Sequence, residues 1–124
     1  MTTRPEITQQ ITFLHTQDLE ETRRFYIDVL GLDLARDQGT CVIFKVNQGA
    51  YLGFCEHIEQ IPPGRKVILT LVSEDVDGWY ATLKQSGYSL IDPPTENPKY
   101  AIYHFFIPDP NGYWIEIQKF DQPL

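Results

Sequence analysis

The chain lacks most of what would take it across a membrane or onto a polyanion. Its longest aliphatic stretch is Val67-Ile68-Leu69, extended by Thr70-Leu71-Val72. That is far short of the roughly 20 apolar residues a spanning helix needs. The opening "MTTRPEITQQ" has no apolar signal core, so no export and a cytoplasmic location are expected. Basic residues are scarce, with 10 Lys and Arg against 17 Asp and Glu and a net charge of −7. Nucleic-acid binding depends on basic groups that release counterions, so it is not expected. An acidic body suits a cationic ligand or an uncharged one. Cysteine is limited to Cys41 and Cys55, too few for a disulfide framework, and the two read as free thiols in a reducing compartment, filling core space.

What is present is an ordinary globular composition, with 42% hydrophobic and 22% charged residues. A length of 124 residues fits a single domain, 1–124. One pattern occurs twice. "QQITFLHTQ" reads as a strand, Asp18 as a helix cap, and Leu19, Thr22, Phe25, Tyr26, Val29 and Leu30 as one helix face that Gly31 stops. "VILTLVSE" reads as a strand, Asp75 as the cap, and Val76, Trp79, Tyr80 and Leu83 as the face that Gly87 stops. The second copy is offset by 57 residues, the mark of a repeated structural module.

Three strands follow each helix. In the first half they are "LDLAR", "TCVIFKV" and "AYLGFCEH", joined by "DQG" and "NQG". In the second they are "YSLI", "AIYHFFI" and "YWIEIQKF", separated by the loop "DPPTENPK" and the turn "DPNG". Pro110 suits the second position of a type I turn and Gly112 the fourth. The halves are linked by "IEQIPPGRK", whose prolines exclude a central strand. Each half therefore reads βαβββ, the first over about 7–60 and the second over about 65–121, and the fold class is α+β with eight strands and both helices covering one face.

The segments "DLEETRRFYIDVLGLDL", "SEDVDGWYATLKQSG" and "IPDPNGYWIEIQKF" resemble the vicinal oxygen chelate superfamily of glyoxalase I, bleomycin-resistance proteins, fosfomycin-resistance enzymes and extradiol dioxygenases. The resemblance runs from Ile11 to Phe120 and implies curled mixed sheets around a cavity, in many members lined by both chains of a homodimer. It also implies where a metal would be held. The first His position of the family is Ile11 here, the second His or Gln position falls on Val67 and Ile68, and the final Glu is Glu116. A divalent metal needs three or four protein donors, and Ile and Val have none. No cofactor is therefore expected.

Strand alternation from Ile11 puts Phe13, His15 and Gln17 on one face. It groups Trp114, Glu116 and Gln118 in the last strand, with Ile115 and Ile117 turned towards the helices. The same reasoning gives Ile102, His104 and Phe106, then Ile68, Thr70 and Val72, and in the fourth strand Tyr51, Gly53 and Cys55. The expected ligand-binding residues are Phe13, His15, Tyr51, Thr70, His104, Phe106, Trp114 and Glu116. This lining is apolar and aromatic with a few polar groups, as small-molecule pockets are. Glu116 is the candidate catalytic residue. Beside His15 or His104 it would form a charge-assisted hydrogen bond. Alone among aromatics its charged form would be penalised. The plainer alternatives are an exposed strand residue or a structural hydrogen-bond partner for Glu116, wall residues for His15 and His104, and a solvated surface residue for His57.

Three functions follow as expectations. The first is a glyoxalase/bleomycin-resistance-like protein that binds a small cationic or aromatic molecule without the usual metal and without turnover. The second is a lyase or isomerase that uses Glu116 as general base or a non-standard divalent metal site of His15, His104 and Glu116. The third is an interaction module whose hollow is filled by Phe13, Phe106 and Trp114.

Overall fold

The computed structural model describes residues 4–58, 67–88 and 91–124. The chain divides into two compact units, Met1–Ile61 and Pro62–Leu124. Each contains one four-stranded mixed sheet.

In the first unit, β1 (Gln10–His15) leads into α1 (Leu19–Arg23), and β2 (Asp33–Asp37), β3 (Cys41–Asn47) and β4 (Ala50–Cys55) follow. The sheet order is β1-β4-β3-β2, with β1 and β4 parallel and the other pairs antiparallel. Asp18 caps α1, its carboxylate accepting from the Glu21 amide at 3.0 Å. Glu20 and Glu21 in the first turn complement the positive end of the helix. Beyond Arg23 the helix widens into a π-helical turn over Arg24–Val29, in which the Leu30 amide donates to the Phe25 carbonyl. Gly31 ends it at φ 75°, a conformation that favours glycine. The consecutive rings of Phe25 and Tyr26 are both buried. Tyr26 lies 5.3 Å from the ring of Phe44 on β3 and 4.7 Å from that of Phe54 on β4. These rings, with Val42, Leu14 and Leu52, form the core of the unit.

In the second unit, β5 (Ile68–Val72) leads into α2 (Val76–Gln85), and β6 (Thr95–Asn97), β7 (Ile102–Pro108) and β8 (Trp114–Phe120) follow. The order is β5-β8-β7-β6, the same topology as in the first unit. Asp75 caps α2 through the Gly78 amide at 2.9 Å, and Gly87 ends it at φ 92°. Leu83 of α2 packs with Ile107, Ile115 and Ile117 in the buried core, and Tyr80 meets Phe105 edge to face at 5.5 Å. The Tyr103 hydroxyl donates to Asp77 at 2.6 Å, tying β7 to α2. That bond raises the tyrosine above its ordinary range, because ionising the hydroxyl would set two negative oxygens against each other. The β7–β8 connection is the turn expected from "DPNG", with the Gly112 amide donating to the Asp109 carbonyl at 3.1 Å. The buried Asp109 carboxylate accepts from the amides of Asn111 and Tyr113 at 2.9 and 2.8 Å.

Two expectations are corrected. The strand expected over "YSLI" falls partly on residues 89–90, outside the described ones, and Tyr88 and Ile91 lie in no strand. The edge strand is instead Thr95–Asn97, inside the stretch expected to be a loop. The Asn97 side chain accepts from the Lys99 amide at 3.1 Å, and Ala101 takes φ 54°, so the chain turns sharply and lays Thr95 against His104. These residues are polar, and an edge strand needs no apolar alternation to pair. The second correction concerns the cysteines. Cys41 and Cys55 form a disulfide between β3 and β4 rather than two free thiols. They face each other in the sheet register, flanked by the bond from the Glu56 amide to the Thr40 carbonyl. That makes them a non-hydrogen-bonded pair, the closer of the two antiparallel pair types, and their Cα atoms are 4.1 Å apart. The joining segment "IEQIPPGRK" lies, from residue 59 onward, outside the described residues.

Candidate ligand-binding site

Each sheet buries one face under its helix and leaves the other open. The alternation that sends Ile115 and Ile117 into the core of the second unit sends Trp114, Glu116 and Gln118 to its open face. The register then decides which neighbours they meet. Thr70 of β5 and Phe106 of β7 flank Glu116, Ile68 and Pro108 flank Trp114, and Val72 and His104 flank Gln118.

Glu116 is 8% exposed. It is neither an outward-facing residue nor a carboxylate stranded among aromatics. The Thr70 hydroxyl donates to its Oε1 at 2.9 Å. The His104 Nδ1 lies 2.6 Å from its Oε2, with both side chains largely buried. Gln118, with its amide nitrogen turned to the carboxylate, donates to both oxygens at 3.1 Å. A carboxylate offers about four lone-pair positions, and these three donors engage both of its oxygens. Donation from Nδ1 of His104 leaves Nε2 as the nitrogen that can accept a hydrogen bond or a proton. The imidazole is held edge to face against Phe106 at 5.2 Å, and Phe106 in turn meets Trp114 at 6.1 Å. Around this polar centre the face is apolar and open, with Trp114 43%, Ile68 52% and Val72 61% exposed.

The open face of the first unit has another chemistry. Ile11 and Tyr51 pair across β1 and β4, as do Phe13 and Gly53, and His15 and Cys55. The Phe13 ring lies so close to Gly53 that a Cβ there would collide with it. His15 Nδ1 is 2.7 Å from the Ile58 carbonyl, so its ring is held by main chain. Ile11, Ile43 and Tyr51 line a groove of about 200 Å³ with Gln9, Ala35 and Arg36. A second hollow of about 300 Å³ lies where β5 and β8 end, between Val72, Lys119, Phe120 and Leu124. Neither includes Glu116; the polar network occupies the broad open face instead.

The structure thus places Thr70, His104, Phe106, Trp114 and Glu116 together on the second unit, and Phe13, His15 and Tyr51 together on the first. Alternation had grouped Gln118 with Glu116 without making it a site residue, and the register shows it to be the third donor. Sequence reasoning also missed a cluster at the end of the β3–β4 hairpin. Cys41, Cys55 and His57 bring potential ligand atoms within 4.8 Å of one another. Among the described residues, no helix is long and apolar enough to cross a membrane.

The positions where the family holds a metal do not make a donor set here. Ile11 and Ile68 carry no donor atom, Val67 precedes β5, and the residue in register with Glu116 is Thr70. Both oxygens of Glu116 already accept hydrogen bonds from side chains of the same unit.

Comparison with known proteins matches this architecture. In overall fold the chain superposes on a glyoxalase/bleomycin resistance protein/dioxygenase from Nocardioides with a TM-score of 0.76 and 24% identity, covering 97% of this chain and 86% of that one. A lactoylglutathione lyase from Agrobacterium tumefaciens superposes with a TM-score of 0.73 and 21% identity, over 94% of this chain and 96% of that one. An antibiotic binding protein from Streptomyces sp. CB03234 does so with a TM-score of 0.75 and 23% identity, over 96% and 98%. No curated protein matches the sequence at a significant level. The family model for the Glyoxalase/Bleomycin resistance protein/Dioxygenase superfamily matches residues 8–117, nearly the whole repeated pattern, and the chain belongs to that superfamily.

Proposed function

We propose that this protein binds a small aromatic or cationic molecule on the open face around Glu116 and His104, without the metal that many superfamily members use. One observation carries the reading: both oxygens of the Glu116 carboxylate already accept from side chains of this unit, Thr70, His104 and Gln118. A metal ligand must present a lone pair, and a metal here would compete with three donors for the same two oxygens. What the network offers a ligand is His104 Nε2 as acceptor, framed by Trp114, Phe106 and Ile68. Those side chains suit a planar molecule with an N–H or O–H group, and the net charge of −7 favours a cation. The fold is shared with an antibiotic binding protein from Streptomyces sp. CB03234, which supports a binding role.

The test is a thermal-melt and Trp-fluorescence titration with a panel of planar aromatic cations and neutral aromatics. At a ligand concentration 100 times Kd the melting temperature should rise by roughly 10 °C. Replacing His104 with Phe should weaken binding about tenfold, the cost of one lost hydrogen bond. A melting temperature that ignores the entire panel removes this reading.

The 2.6 Å contact between His104 and Glu116 favours a second reading, a lyase or isomerase. In that case His104 Nε2 is the proton-accepting atom and Glu116 fixes its tautomer and orientation. Turnover of an α-carbonyl substrate that both Glu116→Gln and His104→Phe abolish would select it over simple binding. A homodimer would cover the apolar open faces, and sedimentation equilibrium distinguishes monomer from dimer directly.

A further inference from the structure

We propose that Cys41, Cys55 and His57 form a redox-gated site for a soft divalent cation, zinc above all, at the end of the β3–β4 hairpin. The site lies wholly within the first unit and does not depend on the reading of Glu116.

The two cysteines are buried and directly opposed across the hairpin, while His57 is exposed just beyond the end of β4. The Cys41 Sγ lies 3.6 Å from the His57 Nδ1. Zinc–sulfur and zinc–nitrogen bonds of about 2.3 and 2.05 Å, meeting at the tetrahedral angle, separate the two donors by about 3.6 Å. The imidazole nitrogen is therefore already at the separation from the Cys41 sulfur that two ligands of one zinc ion would have. Two sulfurs on the same zinc are about 3.8 Å apart. That is close to the contact distance two thiols reach when the bond between them is broken and the backbone stays still.

As a disulfide, the sulfurs are poor ligands. A small-molecule or protein thiol opens the bond by exchange. Two reductant thiols become one disulfide, and Cys41 and Cys55 each gain a hydrogen. Zinc then displaces both thiol protons, and two thiolates and one imidazole hold it. The fourth position opens to solvent on the exposed His57 side. Exchange with a small-molecule disulfide runs the other way: that disulfide takes up two protons and leaves as two thiols, the two cysteine sulfurs form their bond again, and the metal leaves as the free ion. A Cys₂His donor set with an open position suits zinc, and its sulfur content excludes magnesium and calcium.

Cobalt(II) is the probe, because sulfur-to-cobalt charge transfer reports thiolate ligation and is blind to any carboxylate site. The full chain is reduced, freed of reductant without air, and titrated beside the oxidised form, with far-UV circular dichroism confirming the fold of each. The expected result is a charge-transfer band that saturates at one cobalt per reduced chain, is bleached by zinc, and is absent from the oxidised protein. His57→Ala changes only an exposed side chain and should weaken cobalt binding roughly tenfold or more. Cys41→Ser should abolish the band. A reduced, folded wild-type protein with no charge-transfer band overturns the proposal. So does a His57→Ala protein that titrates identically to wild type.

Discussion

In the first unit, a disulfide joins β3 to β4 at one end of the open face, and a phenylalanine ring lies over a glycine in its middle. In the second unit the matching strands β7 and β8 are held by a carboxylate that accepts from β5, β7 and β8 itself. The strand order, helix cap and glycine stop are the same in both. The topology is therefore not what distinguishes the units chemically. Side chains on the face the helix does not cover do that, and they diverge freely because the buried face already secures the fold. A duplicated module can thus keep a hydrogen-bonded carboxylate on one such face and a disulfide at the end of the other.

Four experiments sharpen this contrast. The largest effect should come from the first core, where Tyr26→Ala removes a fully buried ring packed on Phe44 and Phe54. It should cost about 4 kcal/mol in chemical denaturation. Glu116→Ala should cost about 3 kcal/mol by the same measurement, because it strands the Thr70, His104 and Gln118 donors. If it costs no more than Thr70→Val, the polar network is not what fixes the second face. Reducing Cys41–Cys55, which closes a separation of 14 residues, should cost up to about 3 kcal/mol. A reduced protein that unfolds at the same denaturant concentration would show that the hairpin register alone holds that face. The smallest effect is at Asp37, whose carboxyl is held below its ordinary 3.8 first by the Gly39 amide and then by Arg23. A carboxyl lowered in the folded state stabilises above the unfolded value, and that stabilisation fades as pH falls through the folded one. Asp37→Asn should therefore lower neutral stability slightly and flatten the acid limb of the stability profile below pH 3.8 by the same small amount. An acid limb as steep in the variant as in the wild type would dissociate Asp37 from it.

Much of the local structure was legible in the residues themselves. Asp18 and Asp75 cap helices because a short carboxylate reaches the free amides of the first turn. Period-two alternation placed Thr70, His104, Phe106, Trp114 and Glu116 on one face correctly, since a strand has no other way to arrange them. The edge strand Thr95–Asn97 was not legible, because it is polar and pairs through its backbone alone. The π-helical turn over Arg24–Val29 keeps the apolar face a normal helix would show, so nothing in the spacing marks it.

The sequence by itself determined the doubled βαβββ plan and the superfamily. These follow from residue type and spacing along one chain. Only the tertiary structure decided who meets whom across strands. It gave Glu116 its three donors, joined Cys41 to Cys55, and set His57 beside them. The physical reason is register: a slip of one residue would turn each of these side chains to the other face, and nothing local to them fixes it.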